Sequence, residues 1–126
     1  MEIGERRKRL DRLLEELRRS WVLAEGLRDK KALAGLGIAD VLTISGNLRQ
    51  SCDLLSARAV ERAYVLTDLD RRGDELAKRA GEELEARSIR ADLVSRKRLA
   101  HLLRIRHFED AERAYEKLRL EGGFDG

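Results

Sequence analysis

Short apolar runs alternate along the chain with longer stretches whose apolar residues recur at helical spacing. Val22, Val41, Ile44, Val65 and Val94 sit in the short runs, as buried strands require. They predict strands over 20–24, 40–44, 63–67 and 89–94. About twenty residues separate successive strands, enough for a crossover helix each time.

The intervening stretches read as helices. Asp29 is placed to cap a short helix carrying Leu33 and Leu36, with Gly37 as its stop. Leu48, Cys52, Leu55 and Ala59 share a face of the next helix, and Leu76, Ala77, Ala80 and Leu84 of the one after. Gly81 inside that helix costs about 1 kcal/mol against Ala, so close packing on the sheet is expected there. Ser95 is placed to cap a helix bearing Leu99, Leu102 and Leu103, and Phe108, Ala111, Tyr115 and Leu118 mark the last one. Ahead of the first strand, Ile3, Leu10, Leu13, Leu14 and Leu17 define one apolar face, expected to pack on the domain body, with a dimer interface as the alternative. Residues 122–126 are expected to fray. The alternation predicts an α/β fold, a four-stranded, mainly parallel sheet flanked by helices. An N-terminal amphipathic helix (1–19) precedes the α/β core (20–94), and a helical extension (95–126) follows it.

Composition narrows the function classes. At 126 residues the chain is one domain, and its 42% apolar share excludes a disordered chain. No run of 18 apolar residues predicts a membrane span, and the N-terminus, charged from Glu2, lacks the apolar stretch of a signal peptide. The single Cys52, expected in the core, excludes a disulfide framework and a cysteine zinc site, which fits a reducing, cytoplasmic setting. A net charge of +3 does not by itself point to nucleic acid. Abundant Arg, scarce Asn and Gln, and no Pro fit either a thermophile or a GC-rich genome.

The candidate chemistry lies where strands end, because ligands of such sheets bind beyond the carboxyl ends of the strands. Glu25-Gly26 follows the first predicted strand, and Asp68-Leu69-Asp70 follows the third, ahead of Arg71-Arg72-Gly73. With those strands adjacent, about 4.8 Å apart, Glu25, Asp68 and Asp70 converge. Carboxylates that close repel unless a proton or cation intervenes, and an all-oxygen set suits Mg²⁺ or Mn²⁺ better than zinc. An aspartyl-phosphate phosphatase would place its D-x-D after the first strand, and a receiver domain an acidic pair there, so both fit less well.

These residues, in this order, resemble the Toprim domain of topoisomerases, primases, recombination-repair nucleases and a ribosomal-RNA-maturing ribonuclease. Leu23-Ala24-Glu25-Gly26 matches the first motif, and Asp29 an acid of the primase-like and ribonuclease-like branches. Val65 to Asp74, with its D-x-D and Gly73, matches the second, and Ser45-Gly46 fits the pattern after the second strand. The resemblance covers roughly residues 20–94, and the whole chain is similar to the small stand-alone Toprim proteins of archaea. Ala24, Leu69 and Asp74 depart from the usual valine, proline and glutamate; the shorter acid leaves the role of Asp74 open. The resemblance implies Mg²⁺-dependent phosphoryl transfer on RNA or DNA, with Asp68 and Asp70 as metal ligands and Glu25 as general acid or base or a further ligand.

Around the acids, Arg96, Lys97 and Arg98 follow the fourth strand, on the same edge, and are expected to meet phosphate, as are Arg71 and Arg72. His101 and His107 have no ligand spacing and are expected to be ordinary helix-surface or helix-end residues. Trp21 and Tyr115 are expected to pack, which leaves no aromatic platform for single strands. The leading expectation is a metal-dependent nuclease or processing factor, acting as a monomer or homodimer. The alternative is a non-catalytic module that binds nucleic acid or a protein partner in a processing complex.

Overall fold

The computed structural model describes residues 1–121. Strands form at Trp21–Ala24 (β1), Val41–Thr43 (β2), Arg62–Leu66 (β3) and Arg90–Asp92 (β4). They make one parallel sheet in the order β2-β1-β3-β4. Among the described residues six helices surround it: Ile3–Arg18 (α1), Leu27–Ala34 (α2), Ile44–Ala57 (α3), Arg71–Glu85 (α4), Ser95–Leu103 (α5) and Ala111–Glu121 (α6). A 3-10 turn at Phe108–Asp110 leads into α6. The expected α/β fold is therefore present, with shorter strands: Ile44 opens α3, and Ile89, Leu93 and Val94 flank β4. The tail expected to fray, 122–126, lies outside the described residues. Among the described residues no helix is long and apolar enough to cross a membrane.

Side-chain alternation along the strands divides the core in two. Val22, Ala24, Tyr64 and Leu66 face a cluster with α1, α2, α5 and α6. Leu23, Ala63 and Val65 face the other way, against α3 and α4. Each leucine sealed in these layers contributes about 1.5–3 kcal/mol. α1 packs on the body through Leu10, Leu13, Leu14 and Leu17, whereas Ile3, expected on the same face, is exposed. Gly81 does mark a close approach, since a Cβ there would lie 3.2 Å from Leu93 Cδ1.

The helix caps differ from the expectation at two places. Gly26, not Asp29, occupies the N-cap of α2; Asp29 stands in the first turn and accepts the Gly26 N–H at 3.0 Å. Ser95 is the first residue of α5, and Asp92 caps it, with Oδ1 accepting the N–H groups of Val94 (3.0 Å) and Ser95 (2.8 Å). Arg62 on β3 donates to the other oxygen of Asp92 at 2.9 Å. Within α3, Asn47 is extended and its side chain accepts from the Gln50 N–H, restarting the helix there.

The cap yields a pH prediction. Burial pushes the Asp92 carboxyl up, but the Ser95 amide, Arg62 and the Val94 amide outweigh it and hold it below its ordinary value. Folding thus lowers this pKa, so its stabilisation is present above the unfolded value of 3.8 and is lost as pH falls through the folded value. Asp92→Ala should cost about 1–2 kcal/mol at pH 7 in urea unfolding, with a smaller difference from wild type at pH 3. An equal cost at both pH values would count against this account.

Candidate metal centre

The topology places the site. From β1 the chain turns to α2 on one face of the sheet, and from β3 it turns to α4 on the other. The crevice between such diverging connections, at the carboxyl ends of neighbouring strands, is where open α/β sheets bind ligands. Glu25 follows β1 and Asp68 lies just past β3. The Asp68 N–H donates to Glu25 Oε2 at 2.7 Å, bringing the two strand ends together as the sequence led one to expect.

The D-x-D loop is held by its own backbone. Asp70 caps α4, its Oδ1 accepting the Gly73 N–H at 2.7 Å. Thr67 Oγ1 donates to the Gly73 carbonyl at 2.7 Å, and a Cβ at Gly73 would overlap the Asp68 carbonyl. Asp68 Oδ1 accepts the Phe108 N–H at 2.9 Å. Each aspartate therefore has one oxygen fixed by an amide. The other oxygens, Asp68 Oδ2 and Asp70 Oδ2, lie 3.2 and 3.8 Å from one atom, His107 Nδ1. One ligand atom from each of Asp68, Asp70 and His107 lies within 4.8 Å of the others.

His107 is a helix-end residue, as expected, but it also lies against the acids, which its spacing in sequence did not suggest. It precedes the 3-10 turn and reaches the acids because Leu69 N–H donates to the Arg106 carbonyl at 2.8 Å, drawing the segment after α5 over the loop. No local signal marks it: it lies 39 residues from Asp68, and its spacing to the acids in sequence matches no ligand motif.

Crowding of carboxylates shapes the electrostatics. Burial raises the Glu25 carboxyl above its ordinary value, opposed by the Asp68 amide and reinforced by the Asp68 and Asp70 charges. Asp29, buried beside them, is pushed up to about 6 by its burial and then by Asp68, against the Gly26 hydrogen bond. His107 is raised by its hydrogen bond to Asp68, then by the charges of Asp68, Asp70 and Asp110, against a small desolvation cost.

The basic residues divide. Arg96, expected to meet phosphate, is only 3% exposed. Its Nε donates to the Thr67 carbonyl (3.0 Å), and Nη2 donates to the Asp68 carbonyl (2.6 Å) and to Asp74 Oδ1 (2.7 Å). It is an internal strut beneath the loop, and Asp74 is its ion-pair partner. Lys97 and Arg98, next along α5, are exposed. Arg71 is exposed and pairs with Glu75 at 3.4 Å, while the exposed Arg72 is near enough to Glu25 to favour its charged form. Ser45 and Gly46 are exposed at the start of α3, where the Ser45 N–H donates to the Glu25 carbonyl at 2.9 Å.

Relatives share most of this chain. A UPF0292 protein of Thermococcus gammatolerans is 36% identical over 102 residues, covering 79% of this chain and 76% of that protein. The chain belongs to the UPF0292 family. The UPF0292 protein of Thermococcus onnurineus is 34% identical over 91% of this chain and 90% of its own. That of Methanosarcina barkeri is 34% identical over 94% and 90%. A solved structure of a protein from Aquifex aeolicus superposes on this UPF0292 chain with a TM-score of 0.69 at 27% identity, covering 79% of this chain and 95% of that one. No family model matches the chain.

Two predictions concern the site itself. Gly73→Ala should push the Asp68 carbonyl aside and cost about 1–3 kcal/mol in denaturant unfolding; an unchanged midpoint would refute the packing. Because folding raises the Asp29 pKa from 3.8 to about 6, its stabilisation is greatest below 3.8 and declines as pH rises through 6. Asp29→Asn, measured in chelator, should therefore stabilise this UPF0292 protein by on the order of 1 kcal/mol at pH 8 and have little effect near pH 4.

Proposed function

We propose that this protein is a divalent-metal-dependent phosphoryl-transfer protein that acts on nucleic-acid phosphodiesters. The observation that carries this reading is the convergence of Asp68 Oδ2 and Asp70 Oδ2 on one point, beside a Glu25 carboxylate tied to the Asp68 backbone. The donor set fits Mg²⁺ or Mn²⁺: two anchored carboxylates offer oxygen, and the imidazole of His107 favours Mn²⁺ where it also binds. Asp68 and Asp70 would hold the ion, with His107 as a neighbouring ligand. Bound there, the ion would offset charge developing on a phosphodiester and acidify water.

The chain's own groups supply the rest. The raised Glu25 carboxyl suits it to carry a proton as general base or acid. Arg96 fixes the Thr67 and Asp68 carbonyls, and so the direction in which the D-x-D enters the site. Exposed Lys97, Arg98 and Arg72 would bring a polyanion toward an otherwise repelling acidic centre. The resemblance to Toprim domains supports the same assignment of Glu25, Asp68 and Asp70.

The test combines binding and cleavage. Titration with Mn²⁺ or Mg²⁺ should perturb the NMR signals of Glu25, Asp68, Asp70 and His107 first, and Asp68→Asn or Asp70→Asn should abolish the response. Structured RNA and DNA should be cut by wild type with metal, and not in chelator or by Glu25→Gln. Metal and nucleic-acid binding without cleavage would favour a non-catalytic module; failure to bind metal would end the proposal. The Lys97→Ala, Arg98→Ala double variant should weaken nucleic-acid binding across sequences and flatten its salt dependence by roughly 0.7 to 0.9 log unit for each phosphate left unneutralised.

A further inference from the structure

Arg6 is a charged side chain at 6% exposure with one side-chain hydrogen bond among the described residues, from Nε to the Leu102 carbonyl at 2.7 Å. No carboxylate pairs with it among the described residues. Among the described residues no fully buried side-chain nitrogen or oxygen lacks a hydrogen-bond partner, so the Nη groups of Arg6 keep some exposure to solvent, and Arg6 lines two cavities. Guanidinium donors left to water in a largely buried side chain are available to an anion, which binds them by charge-assisted bonds.

The cavities bring further positive charge to the same place. Arg104 lines both, Lys117 one, and His101 the other. Their volumes are about 130 and 370 Å³, room for a phosphate group and, in the larger, for more than one. Arg104, just past α5, makes no ion pair among the described residues. Glu121 is the one acid among the described residues on these walls, 4.0 Å from Lys117 Nζ, and so answers one of the three permanent cations. Burial and then the Arg104 charge lower the Arg6 pKa, against Glu121, as expected for cations held together without enough counter-charge.

We propose that Arg6, Arg104 and Lys117 form a binding site for a phosphate group, separate from the acidic centre. Arg6 is buried, and Arg104 and Lys117 are exposed at the cavity mouths; a tetrahedral phosphate has enough oxygens to meet two planar guanidinium forks at once, which a monatomic anion does not. The segment after Arg104 runs on to Arg106, whose carbonyl holds Leu69 beside the D-x-D. The phosphate has two chemical sources, a free phosphate or nucleotide and a nucleic-acid backbone. The site needs no metal and stands whether or not the acids bind one.

The test is an NMR titration of the full chain in chelator with inorganic phosphate, with a mononucleotide, and with a short oligonucleotide, against sodium chloride at matched ionic strength. Amides of Leu103, Arg104 and Ile105 should shift with phosphate and not with chloride. A further tightening with the oligonucleotide assigns the site to a nucleic-acid backbone; tightening with the mononucleotide alone assigns it to a small molecule. Arg6 also ties α1 to α5, so Arg6→Lys could loosen the fold. Arg104→Gly is the cleaner variant, because φ is 58° there and glycine accepts that conformation freely. It should unfold at no lower a temperature than wild type and bind phosphate about tenfold more weakly. Shifts no larger than those with chloride, or unchanged affinity in Arg104→Gly, would overturn the proposal.

Discussion

Mutual repulsion among Glu25, Asp29, Asp68 and Asp70 is the constraint to which the architecture of the site answers. Like charges this close favour protonation or dispersal, and dispersal would splay the ends of β1 and β3. The fold meets the repulsion with fixed dipoles: the amides of Asp68, Gly26, Gly73 and Phe108 each point at a carboxylate oxygen. Each bond is charge-assisted and therefore stronger than an ordinary amide–carbonyl contact. What the amides leave uncompensated falls on two oxygens and His107, and that remainder of negative potential is what the proposed cation would answer.

Arg96 makes the arrangement rigid. Its guanidinium, nearly sealed from solvent, joins the end of β3, the start of α4 and the start of α5 through the Thr67 and Asp68 carbonyls and Asp74. A buried charge of this kind is tolerated because its partners include an ionised carboxylate and two carbonyls. Asp74 thereby gains a physical role: an acid in the first turn of α4, it lies within reach of Arg96. The same burial keeps Arg96 from contact with a polyanion, so in the proposed function that work would fall to its exposed neighbours.

The sheet was legible because buried parallel strands need contiguous apolar, β-branched residues, and Val22, Val41 and Val65 mark three of the four strands. Glu25, Asp68 and Asp70 were legible because strand ends and their acids are local features. The roles of Arg96, Asp92 and His107 were not. A buried arginine, a cap three residues ahead of the expected one, and a histidine delivered by a returning loop all depend on which distant groups the fold brings near. Sequence distance hides them: Arg96 lies 28 residues from the Asp68 carbonyl it binds, and His107 39 from the Asp68 carboxylate.

Helix ends show the same limit at the scale of single dihedral angles. Gly37 announces the stop of α2 because glycine takes φ of 86° without cost, and the Ile38 N–H then returns to the Leu33 carbonyl at 3.1 Å. α3, α4 and α5 close in the same way, with Val60, Ile89 and Ile105 bonding back to Leu55, Leu84 and Ala100. There the left-handed residues are Ala59, Ser88 and Arg104, which resist that conformation by roughly 1–2 kcal/mol each. The apolar residue that follows supplies the compensation: Ile89 is sealed in the core, and Val60 and Ile105 pack against it. Burial of the next side chain thus fixes a turn that the turn residue itself disfavours. At Arg104 the consequence reaches beyond the turn, because the same reversal sets its guanidinium beside Arg6 and sends the chain back over the acids.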